Sequence, residues 1–158
     1  IDIINHMKNF KSEIRFIEYM DVGESNKWDP SKVVSSESLL ENINEHYNLK
    51  EMKTETSSTA KKWHIDDSNS SIGLISSITQ PFCSSCNRAR LSVDGKLFTC
   101  LFASNGFDIK SVIRSDDYEE KLLEFFKKIW MERSDQYSQI RFSSKRDLPK
   151  VEMSYIGG

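Results

Sequence analysis

The sequence predicts an α/β beginning followed by an α+β remainder, and three observations carry that reading. An apolar helical stretch over residues 1–10 runs into a β-rich segment, residues 14–20, which ends at the loop-former Asp21-Val22-Gly23; helix, strand and loop make a piece of an α/β unit. Two later segments read as β-hairpins, 61–65 with 71–78 and 91–93 with 96–100. A broad apolar stripe at helical spacing then marks residues 117–133.

The first helix is carried by Ile1, Ile4 and Met7, with Ile3 and Phe10, and has no cap before it, so the chain reads as a piece of something longer. Residues beyond the carboxyl end of a strand build sites in α/β folds, which puts Glu18, Met20 and the loop 21–28 on the functional edge. Each has a plainer alternative: Glu18 as an ion-pair partner of Arg15 or Lys27, Met20 as a core or rim side chain. Ser35 or Ser36 caps a packing helix over 37–46, because Leu39, Leu40 and Ile43 follow at helical spacing. The polar stretch 50–59 reads as a strand edge or loop, and 66–70 as the turn of the first hairpin. Asp94-Gly95 favours a tight turn in the second hairpin, which folds Cys100 back toward Cys83 and Cys86. Residues 107–115 read as a helix, and 117–133 as a longer one with Leu122, Leu123, Phe125, Phe126, Ile129 and Trp130 on a buried face. Residues 136–150 are charged and irregular, with Pro149 stopping any helix.

At 158 residues the chain can bury a core as one domain or a domain and a half. Charged residues are 29% and nearly balanced at net -2, so no global basic field predicts a nucleic-acid partner, and anion binding must be local. No apolar run approaches the roughly 20 residues of a membrane span, and no secretory leader is legible, which predicts a cytoplasmic protein with no membrane partner. Three clustered cysteines fit a reducing compartment and a metal better than a disulfide framework.

Those cysteines, Cys83, Cys86 and Cys100, form C-x2-C-x13-C and are all the chain has. Soft thiolates at this spacing chelate one metal centre, but three leave it short of a ligand; His, water or substrate completes it, or one iron of a cluster stays open. Zinc would need His6, His46 or His64, none at close ligand spacing. A Cys83–Cys86 disulfide of thioredoxin type would leave Cys100 without a role. Arg88 and Arg90, two apart on an extended chain, share a face and suit an anionic ligand, or alternatively ion pairs on a solvated strand. Gly157-Gly158 reads either as a frayed end or as backbone able to enter a narrow site.

The segment from Pro81-Phe82-Cys83 to Cys100-Leu101-Phe102 closely resembles the second cluster motif of the MoaA family, the radical S-adenosylmethionine GTP 3',8-cyclases of molybdenum cofactor biosynthesis. Residues 14–23 resemble that family's late barrel strand, and Tyr155-Ile156-Gly157-Gly158 its diglycine end. The resemblance implies the last elements of an incomplete (βα) TIM-type radical SAM barrel over 1–49, then a C-terminal domain over 50–158 that binds an iron–sulfur cluster and GTP. It further implies that Cys83, Cys86 and Cys100 hold a second 4Fe–4S cluster with an open iron, that Arg88, Ala89 and Arg90 contact GTP, and that Met20 lies against S-adenosylmethionine. Gly157 and Gly158 would extend into the active site, and the full-length enzyme would be a homodimer. The family's other cluster motif, C-x3-C-x2-C, is absent, so the isolated chain is expected to be inactive alone. Two rivals are a non-catalytic zinc or iron–sulfur interaction module and a maturase-type radical enzyme, the latter usually richer in cysteine.

Overall fold

Ile14 and Phe16 turn to one side of an extended segment while Arg15 and Ile17 turn to the other, the period-two pattern of a strand buried on one face. This strand, β1 (Glu13–Ile17), follows helix α1 (Asp2–Met7) and precedes α2 (Ser36–Asn44), β2 (Leu49–Met52), β3 (Lys61–Ile65) and β4 (Ser71–Ile75). The computed structural model describes residues 1–142 and 150–156. Packing groups Ile1–Met20 with Asp29–Ser85 in one unit, and Asp21–Trp28 with the described residues from Cys86 onward in a second. The chain is thus a mixed α/β protein. Residues 49 and 50, on either side of the expected division into 1–49 and 50–158, both lie in β2 of the first unit.

In the first unit the sheet order is β1-β4-β3-β2. β1 and β4 are parallel, from Glu13 opposite Ser71 to Ile17 opposite Ile75, and such a pair needs a long crossover, which here contains α2. β4 with β3 is antiparallel, as expected of segments joined by the turn at 66–70, and β3 with β2 is antiparallel as well. The core is aliphatic: Ile4, Ile14, Ile43, Ile65, Ile72 and Leu74, with Met7, Phe16, Leu39, Leu40 and Trp63 packed on it. Ser35 caps α2 by accepting from the Ser38 N–H at 3.1 Å, as its position before the apolar stripe predicts.

Glu18 is the polar centre of this unit. Its side chain is buried, and its oxygens accept from the Ser36 N–H (2.8 Å), the Ile78 N–H (2.8 Å), the Thr79 N–H (2.9 Å) and the Thr79 hydroxyl (2.6 Å). Burial pushes its pKa up, and these four donors, the Thr79 hydroxyl foremost, more than reverse the effect, so the carboxyl titrates below the usual range. The expected pairing with Arg15 or Lys27 is replaced: Arg15 reaches Glu13 instead. Glu18 therefore joins the end of β1 to the start of α2 and to the turn after β4, where the expected strand to residue 78 stops at Ile75.

The second unit holds β5 (Arg90–Leu91), β6 (Lys96–Phe98), β7 (Phe107–Asp108), α3 (Ile109–Ile113), α4 (Tyr118–Met131) and α5 (Tyr137–Ile140). The β5–β6 hairpin forms in the register Arg90 opposite Phe98. Its turn is a three-residue loop: the Gly95 N–H donates to Ser92 O and the Ser92 N–H to Lys96 O, with Gly95 at φ +83°, a conformation that favours glycine. The expected helix over 107–115 is split, because Phe107 and Asp108 first pair with β6 and Asp108 then caps α3 through the Ser111 N–H at 3.1 Å. On α4 only Ile129 is buried; Leu123, Phe126 and Trp130 are exposed, so the broad buried face expected there is not observed. Helical periodicity reports which side is apolar, not what covers it.

A second buried carboxylate, Asp21, organises the loop 21–28. It lies 2.8 Å from Arg141 Nε, 3.0 Å from Lys150 Nζ and 2.7 Å from the Tyr137 hydroxyl. The Arg141 guanidinium also stands over the rings of Phe102 (5.0 Å) and Tyr137 (5.3 Å). Burial raises the Asp21 carboxyl, but Tyr137, Lys150 and Arg141 carry it below its ordinary range. Beside it Glu152 accepts from the backbone of Glu24 and Ser25 at 2.9 and 3.1 Å. Gly23, at φ +70°, passes so close to that carboxylate that a Cβ would collide with it. Gly157 and Gly158 lie outside the described residues.

Replacing Glu18 with Ala strands buried N–H donors, and chemical denaturation is expected to show a loss of about 3 kcal/mol. Because the folded-state pKa is depressed, the stability Glu18 contributes is full above the ordinary carboxylate range and lost as pH falls through and below it; Glu18→Gln should flatten that acid limb of a stability–pH curve. Asp21→Ala leaves Arg141 buried beside no counter-charge, and about 3 to 5 kcal/mol should be lost in the same assay.

Candidate functional site: the cysteine segment

Pro81 and Phe82 lead into a single 3-10 turn, Cys83–Ser85, and residues 86–89 have no regular secondary structure before β5. All three cysteines are free thiols and half-buried. Cys83 packs with the first unit, Cys86 and Cys100 with the second. The Cys83–Cys86 disulfide alternative is thus not what the structure contains.

Cys86 has the most elaborate surroundings. Arg88 Nη2 lies 3.1 Å from its Sγ, and Arg133 Nη2 3.4 Å. Burial pushes the thiol up; the Arg88 backbone N–H and the guanidinium groups of Arg133 and Arg88 outweigh it, so Cys86 ionises more readily than an ordinary cysteine. Arg133 also donates to the Cys86 carbonyl (2.8 Å) and the Thr99 carbonyl (2.5 Å), and its Nε pairs with Asp135 at 3.1 Å. Asp135 in turn accepts from the Thr99 hydroxyl at 3.2 Å. Cys100 follows Thr99 and its Sγ accepts from the Phe102 N–H at 3.4 Å.

Of the residues expected at the site, Arg88 and Cys86 are brought into direct contact, and the hairpin leaves Cys100 two residues past β6. Arg90 starts β5, half-buried, and Ala89 is exposed between the two arginines. Met20 is half-buried just beyond β1. Arg133 and Asp135 went unread in the sequence: a charged pair just past a helix has no spacing signature, and only the fold carries them to the cysteines.

Three unbridged thiols, one held toward its thiolate form, suit a soft metal or an iron–sulfur centre in donor chemistry. Among the described residues no three His, Cys, Asp or Glu side chains are gathered closely enough to hold an ion as they stand. Of the histidines weighed for zinc, His6 lies against Phe10, His46 Nδ1 is 2.9 Å from Asn42 O, and His64 is on β3. Among the described residues no helix is long and apolar enough to cross a membrane.

Fold and site together define a mixed α/β protein with a thiol-bearing segment under guanidinium control. The chain belongs to the family described as Molybdenum Cofactor Synthesis C, which it matches over residues 12–139. It is 43% identical over 163 aligned residues to proteins named GTP 3',8-cyclase from Staphylococcus aureus strains JH9, Newman and Mu3, an alignment that takes in 100% of this chain and 48% of each relative. The chain therefore spans about half the length of the curated relatives it matches.

Removing the Arg88 guanidinium by Arg88→Gln should slow alkylation of Cys86 at neutral pH by about three- to tenfold, since the thiolate is the nucleophile. Peptide-resolved mass spectrometry gives the rate, and an unchanged Cys86 rate would show that the guanidinium leaves the thiol unaffected.

Proposed function

We propose that this chain is the C-terminal part of a GTP 3',8-cyclase, whose complete form converts GTP to 3',8-cyclo-7,8-dihydroguanosine 5'-triphosphate by S-adenosylmethionine-derived radical chemistry. The observation that carries the reading is the Cys86 thiol under two guanidinium groups, inside the stretch that matches the family. Cys83, Cys86 and Cys100 would hold the second 4Fe–4S cluster of that enzyme. When bound, such a cluster with one iron free of protein supplies a Lewis-acidic contact for the purine. The chain's own part is to bind and orient: Arg88, Ala89 and Arg90 face GTP with two planar cations suited to its phosphates or purine edge. Met20 lies against S-adenosylmethionine, and Gly157 and Gly158 reach the reacting centre.

Residues 1–49 form the end of the radical SAM barrel and 50–158 the cluster and GTP portion. Support for the barrel end is that α1 leads into β1, an edge strand of its sheet whose Ile17 stays 55% exposed. The whole enzyme works in the cytoplasm as a homodimer, with GTP and S-adenosylmethionine and without nucleic acid or membrane. The chain by itself lacks the C-x3-C-x2-C motif and does not cleave S-adenosylmethionine.

Anaerobic reconstitution of the chain with iron and sulfide should give about four of each per molecule and charge-transfer absorption, lost in Cys86→Ser. Stoichiometric zinc without visible absorption would instead favour the interaction-module alternative.

A further inference from the structure

Arg133 stands apart from the residues that carry the family resemblance, yet it touches both cysteine-bearing segments of the second unit. Four of its five N–H groups are accounted for within one side chain: two on backbone carbonyls, of Cys86 (2.8 Å) and Thr99 (2.5 Å), one on Cys86 Sγ (3.4 Å) and one on Asp135 (3.1 Å). Its side chain is only 11% exposed. The fork is braced on both sides, by Asp135, which also accepts from Thr99 Oγ1, and by the Trp130 ring 4.9 Å from the guanidinium carbon. Thr99 immediately precedes Cys100, so one planar group fixes the separation of the Cys86 backbone from the strand end that presents Cys100.

Lysine could not do this. An ammonium is a point donor on a flexible stem, whereas the guanidinium presents its N–H groups in a fixed fork that spans acceptors on two segments at once. Hydrogen bonding to a ligand sulfur also favours the more negatively charged, reduced state of an iron–sulfur centre.

We propose that Arg133 is a positioning residue that locks the Cys86 and Cys100 segments in register before any metal arrives and, once a centre is bound, raises its reduction potential through the N–H aimed at Cys86 Sγ. The second half rests on the cluster-binding reading; the first does not. Arg133 is assigned no contact with GTP or S-adenosylmethionine.

Amide hydrogen exchange on the iron-free chain tests the lock. Arg133→Gln should speed exchange in residues 86–90 and 97–101 by about tenfold while the α2 and β4 amides keep wild-type rates, and Arg133→Lys should give most of that loss. Unchanged exchange at those segments overturns the lock; if the Gln variant fails to fold, the Lys variant decides by the same criterion. On the reconstituted chain, a potentiometric titration of Arg133→Gln should shift the midpoint negative by about tenfold in the one-electron equilibrium, ~59 mV. An unmoved midpoint overturns the sulfur contact. A wild-type chain that takes up no iron and sulfide refutes the cluster reading and with it the tuning role, and the exchange result still judges the lock on its own.

Discussion

A carboxylate buried in protein stays ionised only where donors replace the water it has lost, and the two units are each arranged around one such group. Glu18 gathers four donors from α2 and from the turn after β4; Asp21 gathers a guanidinium, an ammonium and a phenol. Neither is an exposed ion pair of the kind whose net worth is near zero. Each draws together segments far apart in sequence, and removing either would leave buried donors or a buried cation unmatched. The aliphatic core of the first unit supplies bulk stability, while these polar centres set where loops begin and end.

The same logic governs the cysteine segment, with sulfur as the anion. Cys86 receives guanidinium N–H groups from two sides, one from the residues just before β5 and one from beyond α4. The local contact follows from the chain itself, since Arg88 is two residues away. The distant contact depends on the second unit being folded, so the chemistry of this thiol is coupled to the packing of α4 and the turn after it. That coupling separates a structured thiolate site from a C-x2-C motif in a flexible loop.

Much of the fold was legible because its signals are local. β-branched and aromatic residues marked β1, β3 and β4, a serine ahead of an apolar stripe the cap of α2, and Asp94-Gly95 the hairpin that carries Cys100. The failures also have physical causes. β7 is two residues long and its Asp108 doubles as a helix cap, so propensity assigned the whole stretch to a helix. α4 has the expected period, but period does not reveal cover, and Leu123 and Trp130 remain exposed. At the candidate site the cysteines announced themselves by spacing, whereas Arg133, Asp135 and the partners of Asp21 are single polar residues with no periodicity. Their roles exist only after the chain has folded.

The contacts of the loop 21–28 have a consequence for how this chain is made. Asp21 pairs with Lys150, and Glu24 and Ser25 with Glu152, across more than a hundred intervening residues. Loop closure over that span is slow relative to local hairpins and helices. During synthesis the residues around Gly23 leave the ribosome before their partners at 150 and 152, which follow only after more than a hundred further residues. A nonsense change near residue 150 would thus leave its mark at residue 21, more than a hundred residues upstream.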